Sequence, residues 1–239
     1  MRKISILLFS AVLLLSSCDL VFHHSISGNG DLKRISRDIS RADRIKVSGG
    51  IDVVIRKGEP GIEVEADENL LRYIETRTHD GWLEVRTKKE YELRSENKIT
   101  VYVTTEELHA LKVSGSSNVT GDDDWTMNGT FKLDVSGSGD VSLNLNASNI
   151  DADISGSGNI DLAGESERLN LDIAGSGSFK GYGLKCGTVD LDVAGSGEAE
   201  VFAEERLKVS IAGSGDVRYH GNPTVSRSVA GSGNIQKTD

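Results

Sequence analysis

The sequence predicts an all-β solenoid whose coils take about 18–22 residues each. Three observations carry this: a motif repeated at near-constant spacing, apolar alternation on both sides of it, and no useful helical periodicity in the same half of the chain. Gly-Ser-Gly recurs with its first glycine at 137, 156, 175, 195, 213 and 231, after a degenerate copy, Gly115-Ser116-Ser117. The intervals are 22, 19, 19, 20, 18 and 18 residues. Helical repeats need over about 30 residues and propeller blades about 40, so both are too long. Before the motif Leu133/Val135, Leu171/Ile173, Leu191/Val193 and Val209/Ile211 alternate with polar residues. After it Val141/Leu143/Leu145, Ile160/Leu162 and Val217/Tyr219 do the same. A period of two over short runs is the mark of half-buried strands.

Each coil therefore reads as strand, Gly-Ser-Gly, strand and a variable polar turn such as NASN, GESE or AEER. The recurring glycines are Gly137 and Gly139, Gly156 and Gly158, Gly175 and Gly177, Gly195 and Gly197, Gly213 and Gly215, and Gly231 and Gly233. If the backbone stays extended through the motif, both glycines of a pair face inward where only hydrogen fits, and the serine between them points out. If it turns tightly, a glycine takes a positive φ. Both readings make the glycines structural.

The outward positions form a candidate interaction ladder: Asp134, Asp153, Asp172 and Asp192, with Ser138, Ser157, Ser176 and Ser196 in the motifs. Ser210 and Ser228 continue the aspartate row. Carboxylates stacked about 4.8 Å apart repel unless they are solvated or neutralised by neighbouring Lys or Arg. The alternative is a cation gathered with Asp140, Asn159, Asp216 and Asn234, which makes these four weak metal candidates. The runs match a calcium-binding nonapeptide array poorly, having one such turn per coil where that array needs one every nine residues, so no metal or cofactor is assigned.

Upstream, strands are expected over 44–58, 61–70, 81–88, 98–104 and 108–115, with turns at Gly58-Glu59-Pro60-Gly61 and His79-Asp80-Gly81. Only residues 68–76 could form a short helix. The expected body is one domain over 35–239, most regular from 108 to 236. Residues 18–34 read as a tether, although SGNGDLKRI could pair as a first strand.

The first residues read as an export signal: Arg2 and Lys3, then an apolar run too short for a typical membrane span. The run closes at Leu15-Ser16-Ser17-Cys18, which resembles a bacterial lipobox. That resemblance implies cleavage of residues 1–17 and lipidation of Cys18, giving a membrane anchor. Cleavage removes two cations and no acid, which takes the formal net charge from −10 to −12. Such an acidic body argues against nucleic acid as a partner. Cys186 is then the one cysteine left for the body, which excludes an intrachain disulfide and reads as a packed or surface thiol.

The blocks VSGGIDVVIRKGE, ADENLLRYIETRTHDGWLEV and ITVYVTTEELHALKVSGSSNV, followed by the SGSG series, resemble the bacterial family called "putative auto-transporter adhesin, head GIN domain". The resemblance covers about residues 35–236. It implies a right-handed single-stranded parallel β-helix in a cell-envelope protein of the kind common in Bacteroidetes, with no agreed catalytic residues.

Two function classes follow. The first is a non-enzymatic adhesin-like or scaffolding protein, lipid-anchored in the envelope, with the outer membrane as the expected site. Its expected partners are the membrane, a glycan or an envelope protein, or a further copy in a homo-oligomer. The second is a polysaccharide-active enzyme, a lyase or glycoside hydrolase, using acid pairs such as Asp151/Asp153 or Asp190/Asp192. Such pairs occur trivially on one strand face, and no catalytic residue is assigned. The five histidines have no zinc spacing. Trp82 and Trp125, beside turns, read as core or capping residues before sugar platforms.

Overall fold

The computed structural model describes residues 24–238, whose regular elements are all strands apart from one 3-10 turn. The signal and Cys18 lie outside the described residues. In chain order the first part holds β1 (His24–Ser27), β2 (Leu32–Arg37), β3 (Arg44–Gly49), β4 (Asp52–Lys57) and β5 (Gly61–Asp67). A single 3-10 turn, Leu71–Tyr73, precedes β6 (Ile74–His79), β7 (Trp82–Thr87), β8 (Tyr91–Arg94), β9 (Thr100–Thr105) and β10 (Ala110–Gly115). The repeat region holds β11 (Asn118–Gly137), β12 (Asp140–Gly156), β13 (Asn159–Gly175), β14 (Ser178–Gly195), β15 (Glu198–Gly213), β16 (Asp216–His220), β17 (Thr224–Gly231) and β18 (Asn234–Lys237).

The chain forms a parallel β-solenoid of about seven turns. Successive coils pair in register, so that Gly49, Gly115, Gly137, Gly156, Gly175, Gly195, Gly213 and Gly231 form one column. The alternating apolar residues fill the interior in matching columns. Leu133, Ala152, Leu171, Leu191 and Val209 form one, and Val135, Ile154, Ile173, Val193 and Ile211 another, each side chain at most 2% exposed. One slipped residue would turn every such column outward, so apolar burial holds the register. Trp125 fills the core just after the register shift between Thr120 and Asp124 of β11.

Both readings of the glycines hold, one for each member of the pair. The first glycine turns the corner with φ between +109° and +139° across the six motifs. A Cβ on Gly175 would fall on the carbonyl oxygen of Gly156 in the preceding coil. The second glycine is buried in the first five motifs, and a Cβ on Gly177 would meet Ile154 at 2.5 Å and the Gly158 oxygen at 2.6 Å. The hydrogen-bond ladder continues through the corner: Ser176 N–H donates to the Gly156 oxygen at 2.8 Å, and Ser178 N–H to the Gly158 oxygen at 3.2 Å. In the degenerate copy Ser117 takes the second position. It is fully buried, its hydroxyl donating to the Gly49 oxygen at 3.2 Å and accepting from Ile51 N–H at 3.3 Å.

The upstream half departs from expectation in two places. The expected helix over 68–76 shrinks to the 3-10 turn, because Ile74–His79 instead pairs antiparallel with β7. The tether shortens, since β1 pairs with β8 and β2 pairs antiparallel with β5. SGNGDLKRI does supply that strand pairing. Asp67, 1% exposed, pins this segment by accepting from the Ser95 hydroxyl and the Asn97 amide, each at 2.6 Å.

Candidate functional site

The strand segments just before the corner stack into one flank with three outward columns. The middle column runs Glu84, Lys46, Lys112, Asp134, Asp153, Asp172, Asp192, Ser210 and Ser228. Two residues earlier in each strand, the second column runs Trp82, Arg44, Ala110, Lys132, Asp151, Asn170, Asp190, Lys208 and Ser226. Two residues later the third holds only small residues from β3 onward: Ser48, Ser114, Ser136, Ser155, then Ala174, Ala194, Ala212 and Ala230.

Register thus brings the four ladder aspartates together, with a basic foot beneath them. Lys112 reaches Asp134 at 2.6 Å and Lys46 reaches Glu84 at 3.6 Å. Higher up the neutralisation lapses. Partial burial, the carboxyl of Asp134 and the nearby charges of Asp172 and Asp151 push the Asp153 carboxyl above the usual carboxylate range. Partial burial, then the charges of Asp192 and Asp190, push Asp172 the same way. Arg44 lies over the Trp82 ring at 5.3 Å, and Lys112 at 5.8 Å. The half-exposed Trp82 therefore belongs to the basic foot, while Trp125 is core.

Lys46 and Lys112 were not singled out as ladder positions in the sequence. Aligning IKVSG, LKVSG and LDVSG, residues 45–49, 111–115 and 133–137, places both lysines at the position of Asp134. That signal was available in the short motif.

The motif serines do not share the aspartate flank. Ser138, Ser157, Ser176 and Ser196 are exposed at the corner itself, and residues beyond it belong to a second flank. There the column runs Asp52, Asn118, Asp140, Asn159, Ser178, Glu198, Asp216 and Asn234. These residues satisfy one another. The Asn118 amide donates to Asp52 at 3.0 Å, the Asn159 amide to Asp140 at 2.7 Å, and Asn234 N–H to Asp216 at 3.1 Å. Of the four residues considered as weak cation ligands, Asp140 and Asp216 thus each have one carboxylate oxygen accepting a hydrogen bond from the next coil. Among the described residues no three His, Cys, Asp or Glu side chains are grouped to hold a metal ion.

The acid pairs Asp151/Asp153 and Asp190/Asp192 lie on the open sheet surface. The depression over Asp153, Asp172 and Asp192 is about 440 Å³, and another of about 630 Å³ lies over Trp82, Lys112 and Lys132. Of the histidines, His79 and His109 contact Asp80 and Asp43, and His220 stacks on Tyr182 at 3.9 Å. Cys186 is 1% exposed, and burial, helped by the Glu204 charge, pushes its thiol up to about 12, so it is a packed residue. Among the described residues no helix is long and apolar enough to cross a membrane.

A family model described as "Putative auto-transporter adhesin, head GIN domain" matches residues 42–223. No curated protein matches the chain. Three solved structures resemble it over nearly its whole length. A "putative lipid binding protein" from Parabacteroides distasonis is 27% identical with a TM-score of 0.74, covering 90% of this chain and 100% of its own. A "putative adhesin" from the same organism is 28% identical with a TM-score of 0.73, at the same coverage. A "putative adhesin" from Bacteroides fragilis shares the fold at a TM-score of 0.83 with 19% identity, covering 89% of this chain and 100% of its own.

Proposed function

Since the chain belongs to the family described as "Putative auto-transporter adhesin, head GIN domain", we propose that it is a non-enzymatic binding module of the bacterial cell envelope. In this reading a lipid on Cys18 holds it at the outer membrane, and the flank before the corner contacts the partner. A solenoid suits such work because its coils repeat one surface along a rod. The observation that carries the reading is the contrast between its flanks. Before the corner Asp153, Asp172 and Asp192 stack in the middle column without an ion-pair partner, although Asp134, Asp151 and Asp190 beside them are held by Lys112, Asn170 and Lys208, whereas after it Asp52 and Asp140 accept from asparagines of their own column. Groups already satisfied gain little from a partner, whereas a column of repelling charges gains a neutralising contact.

The acid pairs fit the polysaccharide-enzyme class poorly, because catalysis by paired carboxylates relies on a site that positions the sugar and limits water. Cross-linking in intact cells, followed by recovery of the bound glycan or protein, tests the binding role. Reproducible recovery of an envelope component supports it, and turnover of a polysaccharide by the purified chain contradicts it. Cys18→Ser is expected to move the protein from the membrane fraction to the soluble one. Unchanged membrane retention contradicts the anchor.

A further inference from the structure

The flank before the corner is basic at one end and acidic at the other, and we propose that it is the contact face of a homodimer, two copies packing flank to flank about a two-fold axis parallel to the strands. This names the partner of the surface assigned above and rests on that binding-module reading. With the axis between β11 and β12, each column lies over its own copy and the order of strands reverses. Strand β10 then faces β13, and β3 faces β14.

The charges fall into register. In the middle column Lys112 meets the partner's Asp172, and Lys46 meets the partner's Asp192. In the second column Lys132 meets the partner's Asp151, and Arg44 meets the partner's Asp190. One row beyond, Lys208 comes over the partner's Trp82, a cation on an aromatic face. Two-fold symmetry makes every pairing twice. The like charges that meet are Asp134 and the partner's Asp153, beside the axis, where Lys112 already holds Asp134 at 2.6 Å.

The third column presents only serine and alanine from β3 to β17, so nothing bulky there holds the two sheets apart. Nine strands about 4.8 Å apart and six residues long offer roughly 850 Å² per copy, close to a standard interface side. Within these two columns the internal ion pairs are Lys46–Glu84, Lys112–Asp134 and Lys208–Asp190. Among the described residues Asp151, Asp153, Asp172, Asp192 and Lys132 have no ion-pair partner, and all of these except Asp153 find one in the dimer. The flank after the corner has no comparable division of sign along the rod.

Sedimentation equilibrium of the lipid-free body, residues 19–239, which carries the whole described fold, tests this with two charge reversals. Lys46→Glu/Lys112→Glu makes the middle column acidic from Glu84 to Asp192, and Asp172→Lys/Asp192→Lys reverses the two residues that those lysines face across the axis. The wild type is expected to dimerise, each variant to self-associate at least about tenfold more weakly, and their equimolar mixture to form a heterodimer. Circular dichroism melting checks that each variant is folded. Should one fail to fold, the wild type still reads the idea, because raising salt from about 0.05 to 0.5 M should weaken its dimer about tenfold. A wild type monomeric at about 0.1 mM, or two folded variants that stay monomeric when mixed, overturns the proposal. A monomer that still captures an envelope component refutes the dimer alone. A dimer that captures none refutes the wider binding role alone.

Discussion

Before the corner Asp134, Asp153, Asp172 and Asp192 stand directly on one another, while after it Asp52, Asp140 and Asp216 each sit beside an asparagine in the stack. The strand spacing is the same on both flanks, so the difference lies in the side chains. At Asp52 and Asp140 an asparagine side-chain amide donates to the carboxylate below it, converting a repulsive contact into a charge-assisted hydrogen bond, while Asp216 accepts from the backbone N–H of Asn234. Where Glu198 and Asp216 do adjoin, Arg218 reaches Glu198 at 3.5 Å. Within one backbone, then, a column can be closed on itself or left with charge to spend on a partner.

That contrast presupposes a corner rigid enough to keep the two flanks in register, and breaking the corner should have the largest effect. Gly195→Val places a β-branched side chain at φ +126° with its Cβ on the Gly175 carbonyl oxygen. A loss of at least about 3 kcal/mol is expected by denaturant titration, against less than about 0.5 kcal/mol for Ser196→Ala at the exposed corner. Next comes a change that makes the closed column resemble the open one. Asn159→Asp removes the amide that donates to Asp140 at 2.7 Å and sets two carboxylates in its place. It should cost about 1 kcal/mol at neutral pH, less at high salt.

The reverse change should have a smaller effect of opposite sign. Asp172→Asn breaks the run of stacked charges, and after solvent screening it should stabilise the fold by about 0.5 kcal/mol in a thermal melt. The mildest test is pH. Because Asp153 and Asp172 have raised values in the folded chain, the fold takes up their protons before the unfolded chain does. Their contribution should therefore rise as pH falls from neutral through the folded values to the ordinary carboxylate range, and rise no further below it. Asp67 acts in the opposite sense: hydrogen bonds from Ser95 and Asn97 lower its value, so its support is lost at more acid pH. The Asp172→Asn chain should show a shallower rise than the wild type in melts across that window.

The repeat region was legible because one local demand recurs. A positive-φ glycine over the preceding coil's carbonyl can be met only by glycine, and the apolar alternation around it fixes which side chains face inward. The upstream half was less legible because its signals compete. LLRY looks helical, yet Ile74–His79 extends because β7 offers it an antiparallel partner, a long-range reason that the residues themselves do not carry. For the candidate site, the aspartate row was readable from position alone. Its division of sign depended on extending the register through the degenerate copy to Lys112 and Lys46. Trp82 and Arg44 joined the site only through pairing between β3 and β7.

The central claim is that the flank before the corner is the working surface and the flank after it is not. Capture of cross-linked partners in intact cells by two matched variants tests this most directly: Asp153→Asn/Asp172→Asn/Asp192→Asn on the first flank, and Asp140→Asn/Asp216→Asn on the second. Both sets change acids to amides without adding bulk. Loss of capture by the first set with retention by the second is the expected result. Equal capture by both, or loss confined to the second, contradicts the claim.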